Sequence, residues 1–186
     1  MKKIVVLVGS NRKESVNLKF ARALEKLAAG RLEFDYADLA ALPMYNDDEL
    51  ANPPAAVGAL KAKVADADGV LFVTPEYNRS IPALLKNAVD WVSRPYGDND
   101  WAGKPAAIVG SSPGVIGTAT AQMHLRTIMI SLGATLMGQP EVFLQFKEGL
   151  FDGNDAVADA DTEKFLAGFI DRFTGWVGVA ADKVAA

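Results

Sequence analysis

The chain has 186 residues, half of them hydrophobic, enough for one domain (residues 1–186) of ordinary size with a sizeable core. With no cysteine and a single histidine, the composition excludes disulfides, thiol chemistry and Cys-ligated iron–sulfur clusters. It also argues against a His-based metal site or a serine-protease-type triad, and the net charge of −4 gives no basic footprint for nucleic acid.

No apolar run approaches the ~20 residues of a membrane helix. Met1-Lys2-Lys3 leads straight into a strand without a signal-peptide core, so a cytoplasmic protein with no membrane partner is expected. Any redox chemistry must be carried by a bound organic cofactor.

Apolar β-rich runs alternate with helical patterns. A first strand covers about residues 3–8, and Val16, Phe20, Leu24 and Leu27 then mark one helical face to about Ala29. Leu32–Ala37 reads as a second strand. A polar loop from Leu42 to Pro54 precedes a helix carrying Val57, Leu60 and Val64. Gly69–Val73 is short and uniformly apolar, as a buried strand should be, and Leu85, Val89 and Val92 stripe the helix after it. Ala106–Val109 is another buried strand, followed by a helix from about Gly117 to Leu132. Ala134–Met137 is read as the fifth and last strand, with Val142–Phe146 a candidate continuation. Phe165, Phe169, Phe173, Val177 and Ala180 form the seam of a final helix. This order predicts a doubly wound parallel sheet with helices on both faces, and ligands beyond the carboxyl ends of its strands.

The loops after the first, third and fourth strands carry the chemistry. Gly9-Ser10-Asn11-Arg12-Lys13-Glu14-Ser15-Val16-Asn17 joins a strand to a helix, leaving backbone N–H groups free where the helix dipole attracts a phosphate. Ser10, Ser15 and Asn17 add side-chain donors and Arg12 a permanent cation. The spacing fits neither a P-loop nor Gly-x-Gly-x-x-Gly, since no glycine follows Gly9 before Gly30, so one terminal phosphate is expected. An ordinary polar turn with Ser15 as N-cap is the alternative.

After the third strand, Thr74-Pro75-Glu76-Tyr77-Asn78-Arg79-Ser80-Ile81-Pro82 offers a flat aromatic surface and backbone N–H groups for the edge of a planar ring; a rigid turn with an exposed Tyr is the alternative. Gly110–Gly117 combines small residues that permit close backbone approach, as a third wall would need, or that merely allow turns.

Together these loops resemble the NAD(P)H-dependent FMN reductase family, with its quinone, azo and chromate reductases. The opening pattern Gly-Ser-x-Arg-x-x-Ser-x-Asn is met at residues 9–17. Thr-Pro-Glu-Tyr-Asn is met at Thr74–Asn78, followed by Leu85-Lys86-Asn87-Ala88-Val89-Asp90-Trp91. Gly103-Lys104-Pro105 and Ser112-Pro113-Gly114 supply the third piece. The resemblance extends over about residues 3–145 and implies a single flavodoxin-like, FMN-binding domain.

It also implies FMN as cofactor, NADPH or NADH as donor, and ping-pong hydride transfer to small acceptors: quinones, chromate, azo compounds, ferric chelates or free flavin. By resemblance the FMN phosphate falls to Ser10, Arg12, Ser15, Val16 and Asn17, and the isoalloxazine to Pro75, Glu76, Tyr77 and Asn78. Ser111 falls near the ring or ribityl chain. No side-chain acid or base is implied. Asn11 stands where Leu is usual, and Arg79, at the substrate mouth, where Tyr is frequent; an anionic partner is the expectation for Arg79. A non-enzymatic flavodoxin-like electron carrier is the rival reading.

Other polar residues carry less. His124, within the fourth helix, is expected to be a packing or interface residue, and Asp47-Asp48-Glu49 a solvated loop. Asp152, Asp155, Asp159 and Asp161 lack the spacing of a calcium loop. Trp91, Val92, Trp101, Met123 and Met129 place many large apolar groups near the sheet's carboxyl edge, which predicts a subunit contact. The family resemblance likewise implies a homodimer or homotetramer.

Overall fold

The computed structural model describes the backbone of residues 1–184 and the side chains of residues 1–179. The seam position Ala180 and the last two residues of the expected domain therefore lie outside what is described. The chain runs β1 (Lys2–Val8), α1 (Val16–Leu27), β2 (Leu32–Tyr36), α2 (Ala55–Asp66), β3 (Gly69–Val73), α3 (Ala83–Val92), β4 (Pro105–Ser112), α4 (Ala119–Ser131), β5 (Thr135–Leu136), β6 (Val142–Gln145) and α5 (Ala160–Val184). Within the polar stretch after β2, Leu39–Ala41 and Asp47–Glu49 wind into single 3₁₀ turns.

All strand pairs are parallel, in the order β2-β1-β3-β4-β5, with β6 also on β4. This is the flavodoxin-like order. The chain leaves β1 on one side to form β2 and on the other to form β3, so the switch point lies between β1 and β3. The period of two in a strand sends Ile4, Val6, Leu71 and Val73 to the face covered by α1 and α5. Val5, Leu7, Val70 and Phe72 go to the face covered by α2, α3 and α4.

Two expectations are corrected. The fifth strand position is shared by two strands, giving six in all: β5 pairs with Pro105 and Ala106, and β6 with Val109–Ser112. Residues 137–141 separate them, and Pro140 has no N–H to give a ladder. The second correction concerns the apolar groups assigned to a subunit contact. Trp91, Val92, Trp101 and Met129 are fully buried within the chain itself, and only Met123 of that set is exposed. Each indole N–H finds an internal acceptor, Trp91 Nε1 donating to Pro43 O at 2.8 Å and Trp101 Nε1 to Val89 O at 3.0 Å. Rings with their polar atom satisfied serve as core.

Candidate flavin site at the carboxyl ends of β1, β3 and β4

The first loop begins where Gly9 N donates to Val73 O at 2.9 Å, tying the end of β1 to the end of β3. A Cβ at Gly9 would lie 3.0 Å from both Pro75 Cδ and Pro82 Cγ, so a side chain here would press the first loop tightly against the second. Ser15 is the N-cap of α1, its Oγ accepting from Leu18 N at 3.2 Å. The cap reading and the phosphate reading are compatible, because the capping oxygen accepts and its O–H still donates. Among the described residues, no backbone N–H from Ser10 to Asn17 finds a protein acceptor. Arg12 is exposed and has no ion pair there either. A run of free N–H groups wrapped around a helix N-terminus is an anion cradle.

Asn17 is buried and does more than point at this cradle. Its Nδ2 donates to Ser111 O and its Oδ1 accepts from Ser111 N, both at 2.9 Å. The side chain thus clasps the start of α1 to the end of β4, with one amide N–H to spare. Ser111 is 1% exposed, and its hydroxyl has no partner among the described residues. At the neighbouring Gly110 a Cβ would fall 2.2 Å from both Thr74 O and Thr118 Oγ1. The ends of β3 and β4 therefore meet through a position that only glycine can fill.

The β3–α3 loop turns on Tyr77–Ser80, closed by Tyr77 N to Ser80 O at 2.9 Å and Ser80 N to Tyr77 O at 3.0 Å. Glu76 points inward, with a side chain 8% exposed, and its Oε2 accepts from Ala121 N at 3.0 Å, in the first turn of α4. That helix needs the help. Thr118, its N-cap, makes no capping bond; its Oγ1 accepts from Gln122 Nε2. The Glu76 carboxylate is a cap supplied from another loop, favoured by the dipole it faces. A second tie joins Ser80 Oγ and His124 Nδ1 at 3.1 Å.

His124 is exposed and reaches the loop, so its role within the chain is this tie rather than packing. With its side chain engaged, Glu76 offers a ligand its backbone N–H; this N–H and that of Asn78 make no hydrogen bond among the described residues. Tyr77, 48% exposed, presents its ring beside them.

The three loops meet at the carboxyl ends of β1, β3 and β4. A recess of about 170 Å³ on the β2 side of the first loop is lined by Ser10, Asn11, Arg22, Tyr36 and Asp38. The donor set fits FMN. Free N–H groups and an unpaired guanidinium suit one phosphate, the orphaned Ser111 hydroxyl suits a polyol, and fixed N–H groups beside an aromatic surface suit the ring.

Two acidic groups of the segment after β6 hold local structure. Asp152 Oδ1 accepts from Asn154 N and Ala156 N, both at 2.8 Å, and Asp159 Oδ2 accepts from Thr162 N at the start of α5.

Strand order and site together define a flavodoxin-like, flavin-dependent oxidoreductase. The pattern of the NADPH-dependent FMN reductase family matches residues 2–149, and the chain belongs to that family. FMN is its cofactor and NAD(P)H its electron donor. The flavoenzyme NAD(P)H:acceptor oxidoreductase FerB of Paracoccus denitrificans is 47% identical, with a TM-score of 0.94 over 97% of this chain and 99% of that one. A 2-hydroxy-1,4-benzoquinone reductase of a Burkholderia species is 48% identical over 175 residues, 94% of this chain and 96% of the relative. A quinone reductase of Escherichia coli K12 is 42% identical over 176 residues, 92% of this chain and 89% of the relative.

Proposed function

We propose that this protein is an NAD(P)H-dependent, FMN-containing reductase whose main acceptors are small quinones. Chromate, azo compounds, ferric chelates and free flavin are further acceptors of so open a site. The observation that carries the reading is the run of unpaired N–H groups from Ser10 to Asn17, clasped through Asn17 to Ser111 and packed against the Pro75–Asn78 loop. The names of the Burkholderia and E. coli relatives support quinones as the acceptor class. Bound FMN supplies the two-electron chemistry between nicotinamide and acceptor.

The protein's part is binding and orientation. Ser10, Arg12, Ser15, Val16 and Asn17 hold the phosphate, Arg12 by charge and Val16 by its backbone N–H. Pro75, Glu76, Tyr77 and Asn78 line the ring, with the N–H groups of Glu76 and Asn78 directed to its polar edge. The Ser111 hydroxyl meets the ribityl chain or the ring. Donor and acceptor use the same open face in turn, which is the ping-pong order, and Arg79 stands at its mouth.

The unit is one domain. Among the described residues no helix is long and apolar enough to cross a membrane. The requirement for reduced nicotinamide supports action in the cytoplasm. The chain works as at least a homodimer. The buried tryptophans do not argue for this, but Met123 and Ile130 on the outer face of α4, 53% and 66% exposed, do, together with Val115 at 83%.

Heat release of the bound flavin and chromatography test the assignment. FMN is the expected product, with parallel-line initial-rate kinetics for NAD(P)H against a quinone. Recovery of mainly FAD would contradict a loop built for one phosphate.

A further inference from the structure

Glu76 and Arg79 are the two charged residues of the β3–α3 loop, and the fold turns them in opposite directions. The Glu76 side chain is 8% exposed and faces α4; that of Arg79 is 70% exposed. Asn78 and Arg79 lie consecutively in the left-handed region, at φ 51° and 64°. This is the backbone of a tight reversing turn, which Asn adopts readily and a long side chain such as Arg seldom does. The turn is closed on itself and pinned to α4 through Ala121 and His124, so the Arg79 side chain leaves the loop from a fixed point. The contact of Arg79 Nη1 with Glu76 Oε1 is long, at 3.4 Å. The Glu76 carboxylate is shared between this contact and the α4 N-terminus, and the Arg79 guanidinium keeps its charge on the exposed side of the loop.

We propose that Arg79 makes this enzyme selective for anionic acceptors, the ionised hydroxyquinones, over neutral quinones. The proposal rests on the quinone reading above. A hydroxyl group on a quinone ring is a vinylogous carboxylic acid, ionised at neutral pH, with its charge spread over oxygens that a guanidinium fork matches. An anion resists the further electrons it must accept, so a cation at the mouth both collects it and favours its reduction. The overall step balances. One NAD(P)H is oxidised to NAD(P)⁺, its hydride equivalent reaches the hydroxyquinone anion, and two protons from water complete the neutral trihydroxy product.

The test uses FMN-loaded wild type, Arg79→Gln and Arg79→Lys. Each oxidised protein, without nicotinamide, is titrated with a hydroxynaphthoquinone and with the same naphthoquinone lacking the hydroxyl, following the flavin absorbance. The affinity ratio of anion to neutral quinone should fall about fivefold in Arg79→Gln, the upper range for an exposed ion pair. Arg79→Lys should retain most of it, and in wild type it should shrink as salt is added. The kcat/KM ratio for the two quinones should move with it. An Arg79→Gln ratio equal to that of wild type overturns the proposal. So does an unchanged quinone ratio with a lost preference between NADPH and NADH, which would assign the guanidinium to the donor's phosphate. A wild type that reduces neither quinone removes the quinone reading and this proposal with it.

Discussion

Replacing Asn17 with Ala removes the clasp between α1 and β4 and strands both backbone groups of Ser111. The two hydrogen bonds are each 2.9 Å long and buried, so neither freed group is readily rehydrated. An ordinary buried hydrogen bond contributes about 0.5–1.5 kcal/mol net, and an abandoned buried partner costs about 1–3 kcal/mol. With partial relaxation around the smaller side chain, Asn17→Ala should lose about 2–4 kcal/mol. Domains of this size hold roughly 5–15 kcal/mol, so the variant still folds. Urea denaturation of the apoprotein, followed by tryptophan fluorescence, separates this loss from that of the cofactor. At a slope of about 2 kcal/mol per molar urea, the midpoint should drop by about 1–2 M. Asn17→Asp is a sharper probe. It keeps an acceptor for Ser111 N but sets a carboxylate oxygen against Ser111 O and places a negative charge beside the proposed phosphate site. It should therefore bind FMN more weakly than Asn17→Ala. A midpoint for Asn17→Ala within about 0.2 M of wild type would refute the clasp as a stabilising contact.

Arg12→Ala should weaken FMN binding by about 1.5–3 kcal/mol, the range for hydrogen bonds to a charged group, and Lys13→Ala far less. Equal affinities of the two variants in apoprotein titrations would remove Arg12 from the phosphate site. Glu76→Ala takes away the cap of α4 and should cost about 1 kcal/mol in apoprotein stability, with Glu76→Gln, which keeps an acceptor, losing less. An Ala variant as stable as wild type would show the cap to be idle. Backbone N–H groups of Ala156 and Asn154 hold the Asp152 carboxyl below its usual 3.8, and the Thr162 side chain and N–H do the same for Asp159. Folded values below unfolded ones give stability that is complete above the unfolded value and is lost as pH falls through the folded ones. The apoprotein should therefore weaken steadily on acidification below about pH 4, less so in Asp152→Asn, and a flat profile there would count against both contacts.

Much of this was legible in the sequence because parallel strands covered on both faces are uniformly apolar. Gly69–Val73 is bounded in the structure as its composition bounds it. The break from β1 into α1 was legible for a related reason, since a strand that gives way to Gly, Ser, Asn and Arg before a helical stripe marks a strand-to-helix loop. What stayed hidden depends on contacts distant along the chain. The acceptor role of Glu76 toward Ala121 spans 45 positions, and the Asn17–Ser111 clasp spans 94. Neither has a local periodicity to reveal it. For Trp91 and Trp101, hydrophobicity alone does not say whether a ring faces its own core or a neighbour. Their burial depends on acceptors at Pro43 and Val89. The split of the last strand turns on where Pro140 interrupts the ladder, which moved a boundary without moving the fold.

On the proposed reading, this chain passes electrons from a reduced nicotinamide to a small quinone on an FMN held by the Ser10–Asn17 cradle. The most direct test is anaerobic absorbance spectroscopy of the purified yellow holoprotein. Addition of NADPH or NADH should bleach the flavin band, and subsequent addition of a quinone should restore it with one equivalent of hydroquinone formed. A yellow protein indifferent to both nicotinamides, yet able to exchange electrons with a protein partner, would contradict the account and identify the chain as a carrier.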